Sequence, residues 1–97
     1  MSKNHRVVVV LEAKVGKEQE LESELKTVAE HSRAESTNLD YQVMKDKNNP
    51  RQFILCESWE SAEKHQAQFT KNYIQAFASK LETLLEKPFQ AYMGEEV

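Results

Sequence analysis

The sequence contains one uninterrupted apolar run, in which four consecutive valines beginning at Val7 are followed by Leu11. A short continuous run of β-branched residues is typical of a strand that is covered on both faces. The run is too short for the apolar region of a signal peptide, which needs at least about 7 residues, or for a membrane helix of about 20 residues. We therefore predict a strand that extends to about Val15 and breaks at Gly16, in a cytoplasmic protein that does not enter a membrane.

An amphipathic helix is predicted from Lys17 to about Ser32. Its apolar stripe repeats at helical spacing and consists of Leu21, Leu25, Val28, Ala29 and Ser32. The opposite face is charged, and Glu22 and Lys26 form a favourable pair four residues apart. This pattern indicates a helix with one face on a core and the other in solvent.

Two further strands are predicted from Leu39 to Lys45 and from Gln52 to Trp59. A cluster of turn residues at 46–50 joins them into a hairpin. Side chains alternate between the two faces of a strand. The first strand therefore has Leu39, Tyr41 and Val43 on one face, and the second has Phe53, Leu55, Glu57 and Trp59.

The last third of the chain predicts two helical segments and a short strand. Ser61 can cap a short helix from Ala62 to about Gln68. A second helix is predicted from about Lys71 to Glu86, with an apolar stripe formed by Ile74, Phe77, Leu81, Leu84 and Leu85. A final strand is predicted from Phe89 to Met93, with a loose tail at residues 94–97.

The predicted order is β-α-β-β-α-β, which is the order of a ferredoxin-like α+β fold with an antiparallel sheet. We assign residues 1–97 to one such domain, because the chain is too short for two. The strands are apolar on both faces, with Val8 and Ile54 opposite to Val7 and Phe53. The helices of one chain can cover only one side of the sheet. A second copy of the chain is the simplest cover for the other, so we predict a homodimer.

Composition and motifs exclude several classes of function. The net charge is −3, with both signs interspersed, so no nucleic-acid partner is expected. Cys56 is the only cysteine and is expected to be a small core residue. The histidines form no metal-binding motif, and neither a glycine-rich phosphate loop nor a hydrolase nucleophile motif occurs. We expect neither a metal nor a cofactor.

The ordered set of motifs resembles the antibiotic biosynthesis monooxygenase superfamily over about residues 6–93. The strongest match is the stretch from Phe53 to Ser61, which is similar to the family pattern F-x-L-x-E-x-W-x-S. The stretch at 15–21 looks like the family's turn from strand to helix, and 32–35 followed by 38–41 looks like its loop and second strand. The resemblance implies a dimeric α/β barrel, in which two sheets face each other and each subunit has a cavity between sheet and helices.

The resemblance also implies a range of activities. Characterised relatives include cofactor-independent monooxygenases of quinols or polyketide phenols, haem-degrading enzymes and an enzyme that processes a phosphorylated signal. Family members often have histidines where this chain has Gln68 and Tyr73, and the polyketide oxygenases have an asparagine where it has Leu55. Gln68 and Phe69 occupy the region of the haem ligand, which disfavours haem degradation. His65 lies one helical turn before Gln68.

Three residues are the candidates for catalysis. Trp59 could donate its indole N–H to a substrate oxygen, or serve only as a core aromatic. Glu57 lies on a mostly apolar face, where burial raises the pKa of a carboxyl, so it could act as a base or tie strand to helix. His65 could transfer a proton if Ala62, His65, Gln66 and Phe69 form the inward stripe of the short helix, and is otherwise a surface histidine.

Five residues are the candidates for substrate binding: Tyr41, Tyr73, Gln68, Leu55 and Phe53. The two tyrosines could instead pack in the core with their hydroxyls at its rim. The leading hypothesis is a monooxygenase that acts on a small electron-rich aromatic such as a quinol, without metal or flavin. One alternative is a dimeric module that binds a small ligand without turnover. The other is an enzyme for a small phosphorylated metabolite, which only Arg33 and Arg51 support.

Overall fold

A computed structural model describes residues 4–97. The elements along the chain are β1 (His5–Glu12), α1 (Glu18–Arg33), β2 (Asn38–Lys45), β3 (Gln52–Trp59), α2 (Ala62–Ala67), a 3-10 turn (Gln68–Thr70), α3 (Asn72–Leu84) and β4 (Gln90–Glu95). The strands form one sheet in the order β2-β3-β1-β4, and every neighbouring pair is antiparallel. The predicted ferredoxin-like α+β fold is therefore confirmed.

β1 ends earlier than predicted, at Glu12 rather than near Val15. Leu85 leaves α3 with an extended backbone and forms a single bridge with Ala13. The Ala13 N–H meanwhile donates to the Arg51 carbonyl at 2.7 Å. The strand stops after these contacts because the chain turns: the Lys17 N–H donates to the Lys14 carbonyl at 2.9 Å, and Gly16 has a φ of 86°.

The face assigned to Leu39 is wrong. Asn38 pairs with Trp59 and Asp40 pairs with Ser58, so Leu39 is an extra residue in a β-bulge. Leu39 is 49% exposed as a result, whereas Tyr41 is buried as predicted.

β4 is longer than predicted and takes in part of the tail. Gly94 pairs with Arg6 and Glu95 pairs with His5, so these residues belong to the sheet and are not loose.

The core lies between the helices and one face of the sheet, here called the inner face. β3 contributes Phe53, Leu55, Glu57 and Trp59 to it, all buried. α1 covers this face with its predicted stripe, whose members Leu21, Leu25, Val28, Ala29 and Ser32 are all buried. Their burial follows from the helical and two-residue periods of the sequence.

The opposite face of the sheet, here called the outer face, carries apolar side chains from every strand. Val8, Met44 and Tyr92 are 39%, 43% and 58% exposed, and Ile54 and Cys56 are partly buried. Cys56 therefore lies on this face and not in the core as predicted. Val8 pairs with both Cys56 and Tyr92, and Met44 pairs with Ile54, so the patch is continuous.

Within residues 4–97 no helix is long and apolar enough to cross a membrane.

Candidate functional site

A cavity of about 140 Å³ lies between the inner face of the sheet and the segment from α2 to α3. Most of its wall is aliphatic or aromatic, with Val7, Val9 and Leu55 from the sheet and Ile74, Phe77 and Leu81 from α3. Four polar side chains reach it: Tyr41, Glu57, His65 and Gln68. An apolar cavity of about 150 Å³ can hold one benzene ring. The volume therefore suits a single-ring ligand.

The cavity opens beside β4. Phe89 and Met93 line it and are nevertheless 49% and 58% exposed. α3 therefore leaves this edge of the sheet uncovered. A small molecule could enter here without unfolding a helix.

Glu57 is a buried carboxyl at the end of the cavity next to Trp59. The two side chains share the inner face because they are two residues apart on one strand. The indole Nε1–H of Trp59 donates to Glu57 Oε1 at 2.9 Å. Burial raises the pKa of Glu57 to about 7, although the indole hydrogen bond opposes the rise. Glu57 is therefore close to half ionised at neutral pH.

His65 is buried beside Glu57 and is held by α2. The Ser61 hydroxyl caps this helix as predicted, accepting the Lys64 backbone N–H at 3.2 Å. The His65 Nε2 atom lies 3.7 Å from Glu57 Oε1. Burial, with a smaller effect of His5, lowers the pKa of His65 to about 4. His65 is therefore a neutral imidazole at pH 7.

His5 completes this cluster and was missed in the sequence. Its Nε2 atom lies 3.2 Å from His65 Nδ1, although 60 residues separate the two histidines. His5 is paired in register with Trp59, so the antiparallel pairing of β1 with β3 brings it here. In the sequence, only the predicted order of the strands could have indicated that His5 lies near this cluster. The other histidine, His31, stacks on Tyr73 at 4.8 Å between ring centroids.

Gln68 lines the cavity and joins a polar network behind the wall that includes Tyr73. The Gln68 amide donates to Ser32 Oγ at 2.7 Å and to the Tyr73 hydroxyl at 2.9 Å. The Tyr73 hydroxyl in turn donates to Glu35 Oε1 at 3.3 Å.

Burial raises the pKa of Tyr41, and the Glu57 charge adds to this effect. Tyr41 therefore stays a neutral phenol at physiological pH.

The predicted site residues fall into two groups. Five of them line the cavity: Tyr41, Leu55, Glu57, His65 and Gln68. The other three lie away from it. Trp59 is fully buried behind Glu57, Tyr73 lies behind Gln68, and Phe53 lines a separate groove near Lys45, whose Nζ is 5.6 Å from the ring centroid.

Two details of the predicted site are wrong. The Trp59 N–H is not free for a substrate oxygen, because Glu57 already accepts it. The inward side of α2 is also narrower than predicted. His65 is buried and Phe69 lines the cavity although it is 48% exposed, whereas Ala62 and Gln66 are exposed and do not line it.

Arg33, the last residue of α1, and Arg51, in the turn before β3, have structural roles. Arg33 Nε donates to the Tyr41 carbonyl at 2.9 Å, and an Arg51 guanidinium N–H donates to the Ala13 carbonyl at 3.1 Å. Neither arginine lines the cavity.

The part of the chain described, residues 4–97, contains no group of three or more His, Cys, Asp or Glu side chains that could hold a metal ion.

Comparison with known proteins identifies the fold in several organisms. A Pseudomonas aeruginosa structure superposes with a TM-score of 0.93 at 23% identity, covering 100% of this chain and 97% of that one. A conserved protein from Methanosarcina mazei Go1 gives 0.92 at 21% identity, with 98% and 94% covered. A Nitrosomonas europaea protein provisionally named an antibiotic biosynthesis monooxygenase gives 0.94 at 13% identity, with 100% and 93% covered. No match was found among curated protein sequences.

The family assignment comes from the sequence itself. Residues 4–80 match the antibiotic biosynthesis monooxygenase family. This range contains α1, the hairpin, and the Glu57, Trp59 and His65 cluster. The chain belongs to the antibiotic biosynthesis monooxygenase family.

Proposed function

We propose that this protein is a monooxygenase that acts on a small electron-rich aromatic, such as a single-ring quinol or phenol. The observation that carries the proposal is a ring-sized apolar cavity containing one buried carboxyl with a pKa of about 7. A general base works best when its pKa is close to the working pH. Glu57 meets this condition, and the apolar wall keeps water from the anion that it generates.

The reaction begins when the Glu57 carboxylate accepts the proton of a quinol hydroxyl. The phenolate passes an electron to O2, and recombination forms a C–O bond to a ring carbon. The O–O bond then breaks, one oxygen stays on the ring, and the other leaves as water with the protons returned from the site. Hydroquinone and O2 give hydroxyquinone and water, so the substrate supplies all four electrons.

His65 and Trp59 both lie against the Oε1 atom of Glu57 and assist it in different ways. His65 has too low a pKa to compete for the phenolic proton, and its neutral ring lies beside the carboxyl. Trp59 stabilises the carboxylate form through its indole hydrogen bond. Glu57 is therefore the base, and His65 and Trp59 are positioning residues.

Oxygen uptake by the purified protein with a panel of single-ring hydroquinones tests the activity. We expect uptake above the spontaneous rate without any added cofactor. We expect it to fall as ring substituents exceed the cavity volume of about 140 Å³. No uptake from the folded protein with any member of the panel would reject the proposal.

The second candidate is a module that binds a small aromatic ligand without turnover. It is favoured by Gln68 and Tyr73, which are engaged with Ser32 and Glu35 in the network behind the wall. Thermal stabilisation by a hydroquinone without oxygen uptake would identify this function. A phosphorylated metabolite is disfavoured, since neither Arg33 nor Arg51 reaches the cavity.

We also propose that the outer face pairs with a second copy of the chain. Its apolar patch crosses all four strands and includes Val8 and Met44, which are 39% and 43% exposed. Apolar patches of this extent mark interfaces more often than free surface.

The variant Val8→Lys is expected to turn a wild-type dimer into a monomer, because it places a charge in the middle of this patch. Size-exclusion chromatography with light scattering measures the mass. Val15→Lys, at a 79% exposed position outside the sheet, is the control and is expected to leave the dimer intact. A monomeric wild type, or a dimeric Val8→Lys protein, would contradict this interface.

A further inference from the structure

A row of three titratable side chains leads from the cavity to the surface. Glu57 and His65 are buried and line the cavity. His5 does not line it and is only partly buried, at the first residue of β1. The contacts along the row are 3.7 Å from Glu57 Oε1 to His65 Nε2 and 3.2 Å from His65 Nδ1 to His5 Nε2.

The two ring nitrogens of His65 face different neighbours. An imidazole that is hydrogen-bonded at both nitrogens can accept a proton at one while it releases a proton from the other. The same arrangement prevents His5, His65 and Glu57 from converging on one metal ion, since a single ring cannot direct both nitrogens to one point. The geometry therefore suits proton transfer along a line.

We infer that His5 is the outer end of a proton path by which Glu57 exchanges protons with solvent through His65. This inference rests on the proposed function, in which Glu57 is the base. When the quinol O–H bond breaks, its proton passes to Glu57. Glu57 then releases a proton to His65 Nε2, His65 releases the proton on Nδ1 to His5 Nε2, and His5 releases one to water. The reverse passage supplies protons for the water that leaves and restores the first tautomer of His65.

The surroundings of Glu57 favour this path once a substrate is bound. Fully buried Trp59 closes the carboxyl off on one side, and a bound ring would fill the apolar cavity on the other. The distance of 3.7 Å is longer than a hydrogen bond and must shorten by roughly 1 Å, as catalytic contacts do when a substrate binds.

The groups around the path favour its outward direction. Tyr41 from β2 and Gln68 from the 3-10 turn are neutral, and the ring of Phe69 lies 5.0 Å from His65 between centroids. Glu95 on β4 is paired in register with His5 and is exposed. Directly opposed residues on neighbouring strands share a face, so an exposed carboxylate lies at the solvent end of the path.

The variant His5→Gln tests the path, because an amide can hydrogen-bond to His65 but cannot relay a proton. At saturating hydroquinone we expect kcat to fall by about tenfold or more with KM unchanged. Added imidazole is expected to restore the rate, because the position of His5 is partly open to solvent. His31→Gln, which changes a histidine outside the row, is the control and is expected to keep the wild-type rate.

Nitrogen NMR of the histidine rings provides a readout that does not need turnover. In the wild type, we expect ionisation of Glu57 to shift the ring nitrogens of both His65 and His5 at the same pH. In His5→Gln, we expect the pKa of His65 to rise, since His5 lowers it.

The outcomes separate the path from the proposed function. A wild-type rate in His5→Gln, or a loss of rate that imidazole does not restore, overturns the path. If the wild type takes up no oxygen, the proposed function fails and NMR decides the path. A shift of the ring nitrogens of both His65 and His5 at the pH where Glu57 ionises supports the path, and ring nitrogens that do not respond to Glu57 ionisation overturn it.

Discussion

Replacement of Glu57 by glutamine is expected to abolish oxygen uptake and to make the folded protein more stable at pH 8. The amide keeps an oxygen for the Trp59 indole hydrogen bond, which is 2.9 Å long, but it cannot accept a phenolic proton. General-base catalysis contributes about 10²- to 10⁴-fold to a rate, so uptake is expected to fall by at least about 100-fold.

The gain in stability follows from the raised pKa of Glu57. Burial moves this pKa from 4.5 to about 7, so between these values the folded state holds a proton that the unfolded chain has released. The free energy of unfolding therefore falls as the pH rises through this window, and the full loss is present above it. Each pH unit between 4.5 and about 7 corresponds to about 1.36 kcal/mol, so glutamine is expected to recover about 3 kcal/mol at pH 8.

His65 contributes a slope of the opposite sign. Its pKa is lowered from 6.5 to about 4, so the unfolded chain binds the proton first as the pH falls. Stability from this group is present above pH 6.5 and is lost towards pH 4. Between pH 4.5 and 6.5 the opposite effects of Glu57 and His65 on the free energy of unfolding nearly cancel in the wild type. In Glu57→Gln only the effect of His65 remains, so we expect the variant to lose stability as the pH falls through this window.

Urea unfolding at pH 4.5 and pH 8 measures both effects, with oxygen uptake recorded on the same samples. Glu60→Gln is the matched control, because this carboxyl is exposed in the same segment and no stabilisation is expected from its removal. A Glu57→Gln protein that takes up oxygen at the wild-type rate would exclude Glu57 as the base. One that is no more stable at pH 8 would show that this carboxyl does not carry a raised pKa.

Features encoded by local periodicity were predictable from the sequence. The bounds of β3, Gln52 to Trp59, agree with the prediction, because alternating inward residues and flanking turn residues mark the strand locally. The stripe of α1 is likewise a local pattern. The bulge at Leu39 and the extension of β4 to Glu95 were missed, because both depend on hydrogen bonds to a neighbouring strand whose register the sequence does not display.

The candidate site, too, was predictable from the sequence only in part. The period of two placed Glu57 and Trp59 on one face, so their contact was within reach of sequence reasoning, although the indole N–H was assigned to a substrate instead. His65 was placed in the correct helix, but its burial follows from packing between Trp59 and Phe69. His5 could not be found without the register of β1 on β3, because only that pairing sets it beside Trp59.

The change Trp59→Phe is expected to move the pH dependence of oxygen uptake to higher pH. Phenylalanine keeps an aromatic ring in the core but removes the donor to Glu57 Oε1. A hydrogen bond to a charged group contributes about 1.5–3 kcal/mol, so its loss is expected to raise the pKa of Glu57 further by about 1 to 2. The ionised fraction at pH 7, and the rate with it, should then fall by about 5- to 50-fold.

Recovery at pH 9 distinguishes this effect from damage to the fold. If the indole acts through the carboxyl, the variant should regain most of the wild-type rate once Glu57 is ionised, after subtraction of spontaneous quinol oxidation. The carboxyl carbon of Glu57, followed by NMR, should titrate at correspondingly higher pH in the variant. An equal loss of rate at pH 7 and pH 9, with an unchanged carboxyl titration, would mean that Trp59 supports the cavity only by packing against His65, whose ring centroid is 5.4 Å away.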